Sequence, residues 1–216
     1  MAVVYSINMK KCGRKSDMTT SPTHSSEESE CYSSPKSFME YLGISRTESA
    51  HSHFLAWLFT NRETCEQGIK RLIALLKSKS DDKHCFPIFL QDSWETGFQV
   101  ESVKATLEKS IWVDYCDKES ADVTANKYYG KIDLEIEVKH NKSKKPLLIV
   151  IENKVYSPEH PIGAVGKRDN SHAPYQTQVY ATYYLKEHHD KDCLFGYLTL
   201  NEEGEPQDSN FIHFTY

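Results

Sequence analysis

The sequence predicts an α/β (α+β) fold, and three observations carry that expectation. Ile132, Leu134, Ile136 and Val138 alternate strictly with Asp133, Glu135 and Glu137, the period-2 mark of a strand with one buried face. Leu147–Lys154 has strand composition and follows the polar bend Lys139–Pro146, so the two segments read as a hairpin. Segments with apolar residues at helical spacing lie on either side, over 45–59 and 66–77 before it and 174–188 after it.

In chain order, residues 1–36 open with Lys10, Lys11, Arg14 and Lys15 and pass into TTSPTHSSEESECYSS. Ser, Thr and Glu in that density cannot bury enough apolar surface to order a backbone, so a flexible tail is expected, followed by one domain over 37–216. Ser37–Leu42 suits a short helix or turn. Ser45-Arg46-Thr47-Glu48 has the S-x-x-E form of a capping box, which predicts a helix from near Ser45 to Phe59 with Phe54, Leu55, Leu58 and Phe59 as its buried stripe. A second amphipathic helix, Glu66–Lys77, packs through Ile69, Leu72, Ile73, Leu75 and Leu76.

Residues 78–98 read as loop, Val100–Leu107 and Ile111–Tyr115 as two strands, and Cys116–Lys127 as a polar bend. Beyond the hairpin, Tyr156–Ala173 is a long loop, a length that points to mobility or binding. Pro174 suits the first turn of a helix reaching about His188. Cys193–Leu200 is a further strand, and Phe211–Tyr216 starts another with no cap behind it, so a C-terminal extension is expected to be lacking.

Pairing Val138 with Leu147 sets Ile136 opposite Ile149, Leu134 opposite Ile151 and Ile132 opposite Asn153. Asp133 then falls opposite Glu152, with Lys154 two residues on along the same face. Opposed like charges destabilise a sheet, and carboxylates removed from water must take up a proton, pair with a cation or bind a metal. A hard divalent ion with oxygen ligands meets that need, and Lys154 beside it can hold a water or steady developing negative charge.

Composition sets the bounds. The 216 residues are 38% hydrophobic and 26% charged with a net charge of -5, which excludes a histone-like binder and leaves room for a local basic groove. FLAWLF and LLIVI are too short to span a bilayer and no signal-peptide core is present, so a cytosolic chain without a membrane partner is expected. Six scattered cysteines without a CxxC pair read as reduced thiols. Gly163-Ala-Val-Gly-Lys167 lacks the first glycine and the Ser/Thr of a phosphate-binding loop.

Asp133, then Glu152-Asn153-Lys154 on the next strand, then Gln176 and Tyr180 on a helix, with Glu48 upstream, resembles the PD-(D/E)xK nuclease superfamily. The stretches HSHFLAWLF, IVIENKV, QTQVY and YLTLNEEGEP are similar, in that order, to an uncharacterised branch of it, over about residues 40–216. The resemblance implies a restriction-endonuclease-like core, a central mixed β-sheet flanked by helices. It implies a nuclease hydrolysing phosphodiester bonds of nucleic acid, with DNA as partner and Mg²⁺, or Mn²⁺, as cofactor. Asp133, Glu152, Glu48 and the Asn153 carbonyl would ligate the metal, and Lys154 would orient or activate water. Gln176 and Tyr180 match the Gln-x-x-x-Tyr helix of RecB-like members. Carboxylate-held Mg²⁺ supplies hydroxide near neutral pH and offsets phosphate charge, so the residue types suit the reaction. The loop before Gln176 is longer than is usual in the branch, and Lys131 stands where Arg often follows Gly130.

Plainer readings compete at several positions. Glu48 can serve only its own helix start, Tyr180 and Tyr184 can be core-edge aromatics, and Glu135 and Glu137 read as a solvated strand face. The bend Lys139–Lys145 lies about 16 Å along the strand from Asp133, so Lys167 and Arg168 are better placed to meet a phosphate backbone. His188-His189 reads as a solvated pair at a helix C-terminus, and His51 lies within one turn of Glu48. The rival function is a catalytically inactive module of the same fold that binds nucleic acid or a partner protein, against which the intact Asp133, Glu152 and Lys154 argue. A two-carboxylate glycosidase leaves Lys154 unexplained.

Overall fold

The computed structural model describes residues 47–80, 86–91, 93–115, 126–155, 157–166, 173–200 and 204–215. Among these the elements run α1 (Glu48–Thr60), α2 (Cys65–Lys79), a 3-10 turn at Ile88–Leu90, β1 (Val100–Tyr115), β2 (Asn126–His140), β3 (Leu147–Lys154), α3 (Gln176–Glu187), β4 (Asp192–Thr199) and β5 (Phe211–Thr215). The strands form one mixed sheet in the order β1-β2-β3-β4-β5, antiparallel from β1 to β3 and parallel from β3 to β5. The tail 1–36, Ser45, Lys167 and Arg168 lie outside the described residues. No helix of the described residues is long and apolar enough to cross a membrane.

Helices cover both faces of the sheet, so β3 in its middle is buried at all eight residues. That explains a composition closer to a continuous apolar run than to alternation. Leu147, Ile149 and Ile151 pack with Phe59 of α1 and Ile69, Ile73 and Leu76 of α2. Leu148 and Val150 pack with Val179, Tyr180 and Tyr184 of α3. The crossover from β3 through α3 to β4 is what permits parallel neighbours.

The hairpin register is the expected one where it forms a ladder, with Val138 opposite Leu147, Ile136 opposite Ile149 and Leu134 opposite Ile151. The ladder stops there. The two strands expected at 100–107 and 111–115 are one, β1, which pairs with β2 along almost its full length, and the break expected around Glu108 is a backbone irregularity instead. Glu108 has φ 50°, a region sterically unfavourable for a residue with a Cβ. The β1–β2 ribbon rolls over at this point. Val103, Ala105 and Leu107 join the core under α1 and α2, as do Leu134, Ile136 and Val138. Residues of the same parity beyond the irregularity, Ile111, Val113, Tyr128 and Ile132, join the core under α3.

The expectations for Glu135 and Glu137, for His188 and for Pro174 are corrected. Glu135 is buried, and its Oε2 accepts from Lys109 Nζ at 2.5 Å and from the Tyr184 hydroxyl at 2.5 Å. A strand face turned toward a helix cannot stay solvated, so the charge is matched. Glu137 pairs with Lys191 Nζ at 2.6 Å. His188 is the C-cap of α3 and stacks on Tyr184 at 5.2 Å, with its Nε2 enclosed, so only His189 of that pair is exposed. The loop after β3 is pinned over 157–166. Val165 donates to the Lys127 carbonyl at 2.8 Å and Ile162 to the Pro174 carbonyl at 2.7 Å, so Pro174 precedes the α3 N-cap, Tyr175, rather than lying in its first turn.

Gly130 marks where α3 meets the rolled half of the ribbon. A Cβ there would stand 2.5 Å from Tyr180 Cε1 and 3.4 Å from Ile111 Cγ1. Gly130→Ala is therefore expected to destabilise the domain by about 1–3 kcal/mol, as an overpacked core position does, measured as a lowered urea midpoint with unchanged m-value.

Candidate active site

The site forms where β2 and β3 part. Beyond the Leu134–Ile151 rung the Asp133 side chain takes over the work of the ladder, its Oδ2 accepting the Asn153 N–H at 2.8 Å. A short carboxylate thus stands in for a backbone carbonyl on the strand beside Glu152. Glu152 is 1% exposed and Lys154 7% exposed, and Lys154 Nζ lies 2.8 Å from Glu152 Oε1. The other oxygen, Glu152 Oε2, is buried without a hydrogen-bond partner among the described residues.

An enclosed carboxylate oxygen with no donor leaves a desolvation cost unmet. Burial, joined by the negative charge of Asp133, pushes the Glu152 carboxyl well above the usual range, although Lys154 pulls the other way. Burial also raises Asp133, helped by the charge of Glu48 and opposed by the Asn153 N–H and by Lys154. For Lys154, burial acts against the ammonium, but Glu152, Asp133 and Glu48 outweigh it and raise its pKa. The shifts of Glu152 and Lys154 pull against each other, since a neutral Glu152 would withdraw the charge that sustains Lys154. Enclosure raises the Glu152 carboxyl, and a side-chain hydrogen bond between Glu152 and Asp133 partly holds Asp133 down against its own burial.

Glu48 is the first residue of α1, whose N-cap, Thr47, makes no side-chain capping bond. The Glu48 carboxylate leaves its own helix. Its Oε1 accepts from the Val155 N–H at 3.3 Å and from the Ser157 hydroxyl. Asn153 binds the same first turn from the other side, its Nδ2 donating to the Glu48 carbonyl at 3.0 Å and to Ser52 Oγ at 3.1 Å. The start of α1 is thereby fastened to the end of β3. His51 is buried on α1, while His53 is exposed with Nδ1 on the Ser49 carbonyl.

Tyr180 approaches from α3. Its hydroxyl donates to the Lys131 carbonyl at 2.9 Å and receives the Lys131 N–H at 3.3 Å, and burial, then the charge of Glu152, raises its pKa. Gln176 Nε2 donates to that hydroxyl at 3.4 Å, while its Oε1 accepts the His160 N–H at 3.4 Å. Both residues thus hold backbone, Tyr180 fixing β2 two residues before Asp133. The structure brings Asp133, Glu152, Asn153, Lys154, Glu48 and Tyr180 to one place, with Gln176 one hydrogen bond behind.

Sequence reasoning set Ser52 beside Glu48 near the first turn of its helix and missed Ser157 and Glu159. Glu159 is buried and accepts the Thr177 N–H and hydroxyl, each at 2.6 Å, and the Gln207 N–H at 2.9 Å, a carboxylate at the α3 N-terminus where the helix dipole favours it. A lone acid in a loop carries no pattern that could have revealed this. Two lysines of the 139–145 bend are spent on structure, Lys142 Nζ on the Thr96 carbonyl at 2.5 Å and Lys145 Nζ on the His189 carbonyl at 3.1 Å.

No group of three or more His, Cys, Asp or Glu side chains among the described residues is disposed to hold a metal ion. Two carboxylates assisted by a main-chain carbonyl are nevertheless a donor set of the hard-oxygen kind, and the unpartnered Glu152 Oε2 is the atom a cation would satisfy. A family model described as the PD-(D/E)XK nuclease superfamily matches residues 37–213. No curated protein and no solved structure matches the chain.

The Asp133 shift has a checkable sign. Its folded pKa lies above its unfolded value, so the native state binds the extra proton and stability falls as pH rises through that window. Asp133→Asn should be more stable than the parent at pH 8 in EDTA, and the advantage should vanish below the ordinary carboxylate range. Thermal melts across pH 3.5–8, at half-unit steps of about 0.5, read this directly.

Proposed function

The chain belongs to the PD-(D/E)XK nuclease superfamily, and from that premise we propose that it is a metal-dependent nuclease hydrolysing phosphodiester bonds of nucleic acid, with DNA as the first substrate to test. The observation that carries this reading is the buried Glu152–Lys154 pair with one Glu152 oxygen unpartnered beside Asp133.

Asp133, Glu152, the Asn153 carbonyl and Glu48 would hold Mg²⁺ or Mn²⁺, which when bound supplies hydroxide near neutral pH and neutralises phosphate charge. Lys154 would hold the attacking water by its ammonium and face the phosphate oxygens as a point charge. Tyr180 and Gln176 act as positioning residues, setting the backbone that carries Asp133. Glu48 keeps the turn after Lys154 in place through Val155 and Ser157. Lys167 and Arg168 follow the pinned segment 157–166 in sequence and are assigned to the phosphate backbone.

Labelled linear, circular and single-stranded DNA, and RNA, incubated with Mg²⁺, Mn²⁺ or EDTA, test the reading. Cleavage is expected with either metal and none in EDTA. Lys154→Ala should lower the rate by about 100-fold or more while the fold persists by circular dichroism. A parent protein inert on every substrate, but still binding them, would establish the non-catalytic module instead.

A further inference from the structure

The rolled half of the β1–β2 ribbon has a second face that none of the chemistry above uses. Ile111, Val113, Tyr128 and Ile132 turn inward under α3, so Ser110, Trp112, Lys127, Tyr129 and Lys131 turn outward. Cross-strand register sets Trp112 opposite Tyr129 and Ser110 opposite Lys131. Trp112 is 53% and Tyr129 42% exposed. Their rings meet at 5.0 Å and 56°, and the Ser110 hydroxyl lies 2.9 Å from the Tyr129 hydroxyl. Lys127 Nζ stands 5.3 Å from the Trp112 ring centroid.

A cross-strand aromatic pair stabilises a hairpin, which accounts for the two rings meeting. It does not account for two large rings left open to water among cations. Lys131 adds a second ammonium, paired with Glu108 at 2.6 Å. Both partners are about half exposed, and such a pair contributes so little that a phosphate can replace the carboxylate. Glu108 and, opposite Lys127 at the far end, Asp114 are acids on this face.

Location gives the face its meaning. Lys131 is two residues and Tyr129 four residues from Asp133 on the same strand, about 7 and 13 Å at the usual strand rise. Rings with open π-faces, cations at phosphate distance and continuity with a phosphodiester-cleaving site are together the features of a platform on which unpaired bases stack. A protein partner would have no need of the lysines placed along the path to Asp133.

We propose that the exposed Trp112–Tyr129 face, flanked by Lys127 and Lys131, binds single-stranded nucleic acid by base stacking and leads an unpaired strand to the Asp133–Glu152 site. The proposal rests on the nuclease reading, and specifies its substrate as unpaired strand rather than closed duplex. Stacking tolerates any base, so recognition is independent of sequence.

Fluorescence anisotropy of the full chain in EDTA, where cleavage is not expected, separates binding from catalysis. The probes are labelled oligo-dT, oligo-U and a blunt duplex of equal length. Oligo-dT or oligo-U should bind more tightly than the duplex, and comparing the two tells DNA from RNA. Trp112→Ala and Tyr129→Ala should each weaken single-strand binding by about tenfold with little effect on the duplex, while Trp112→Phe, which keeps a π-face, should retain most of it. Circular dichroism confirms that the variants fold. Single-strand binding unchanged in both alanine variants overturns the proposal, as does an equal loss on duplex. So does a change of sedimentation on substitution without a change in binding, which would make this face a contact between protein copies. Aromatic-dependent binding by a protein that cleaves nothing would overturn only the phosphodiesterase reading.

Discussion

Placing an ammonium and a carboxylate on a strand that is buried on both faces is the constraint from which the rest of this structure follows. Glu152 and Lys154 sit in β3 among residues that never meet solvent, in an environment where an unmatched charge is costly. Their mutual contact meets half of the requirement, and the surroundings are arranged around the other half. Asp133 leaves the β2–β3 ladder to stand beside them, Glu48 reaches out of α1 toward the turn that follows, and Tyr180 locks the β2 backbone from the opposite layer. A core built only for stability would place aliphatic side chains here at lower cost. The polar cluster therefore signals a use, and membership of a nuclease superfamily indicates which one.

The three layers contribute differently. The sheet supplies precise spacing, since Asp133 and Glu152 ride on adjacent strands whose pairing is enforced by an apolar register. The α1 layer supplies attachment, because Asn153 and the first turn of α1 are joined by two hydrogen bonds. The α3 layer supplies order at the point where β2 stops being an ordinary strand. Gly130 leaves room for the Tyr180 ring, and the Tyr180 hydroxyl then uses both polar groups of the Lys131 backbone.

Much of this was legible in the sequence, for physical reasons that differ by element. The hairpin register could be worked out because one face is apolar, and a one-residue slip would turn every side chain over. Asp133 was legible from the register that sets it opposite Glu152, and Glu152 and Lys154 because charges in a strand otherwise rich in Leu, Ile and Val conflict with its burial. The α3 pair was visible as Gln176 and Tyr180 four residues apart. The continuity of β1 was not, because Glu-Lys-Ser at 108–110 has the composition of a turn, and only a long-range partner, β2, holds it extended. Glu135 was misread for the same reason, since whether a strand's second face meets water depends on what is packed against it. Alternation reports that a face is different, not that it is wet.

The reversal of the ribbon at Glu108 also has a meaning for how this protein can change over time. Because the two halves of the hairpin serve different layers, residues beyond Lys109 and before Lys131 can be replaced without disturbing the packing under α1 and α2, and residues on the near side can be replaced without altering what the far side presents. Glu108 is the seam between the part of the ribbon packed under α1 and α2 and the part packed under α3. Substitutions on the outward face of the far arm would then alter what that arm presents while leaving Asp133, Glu152 and Lys154 where they are.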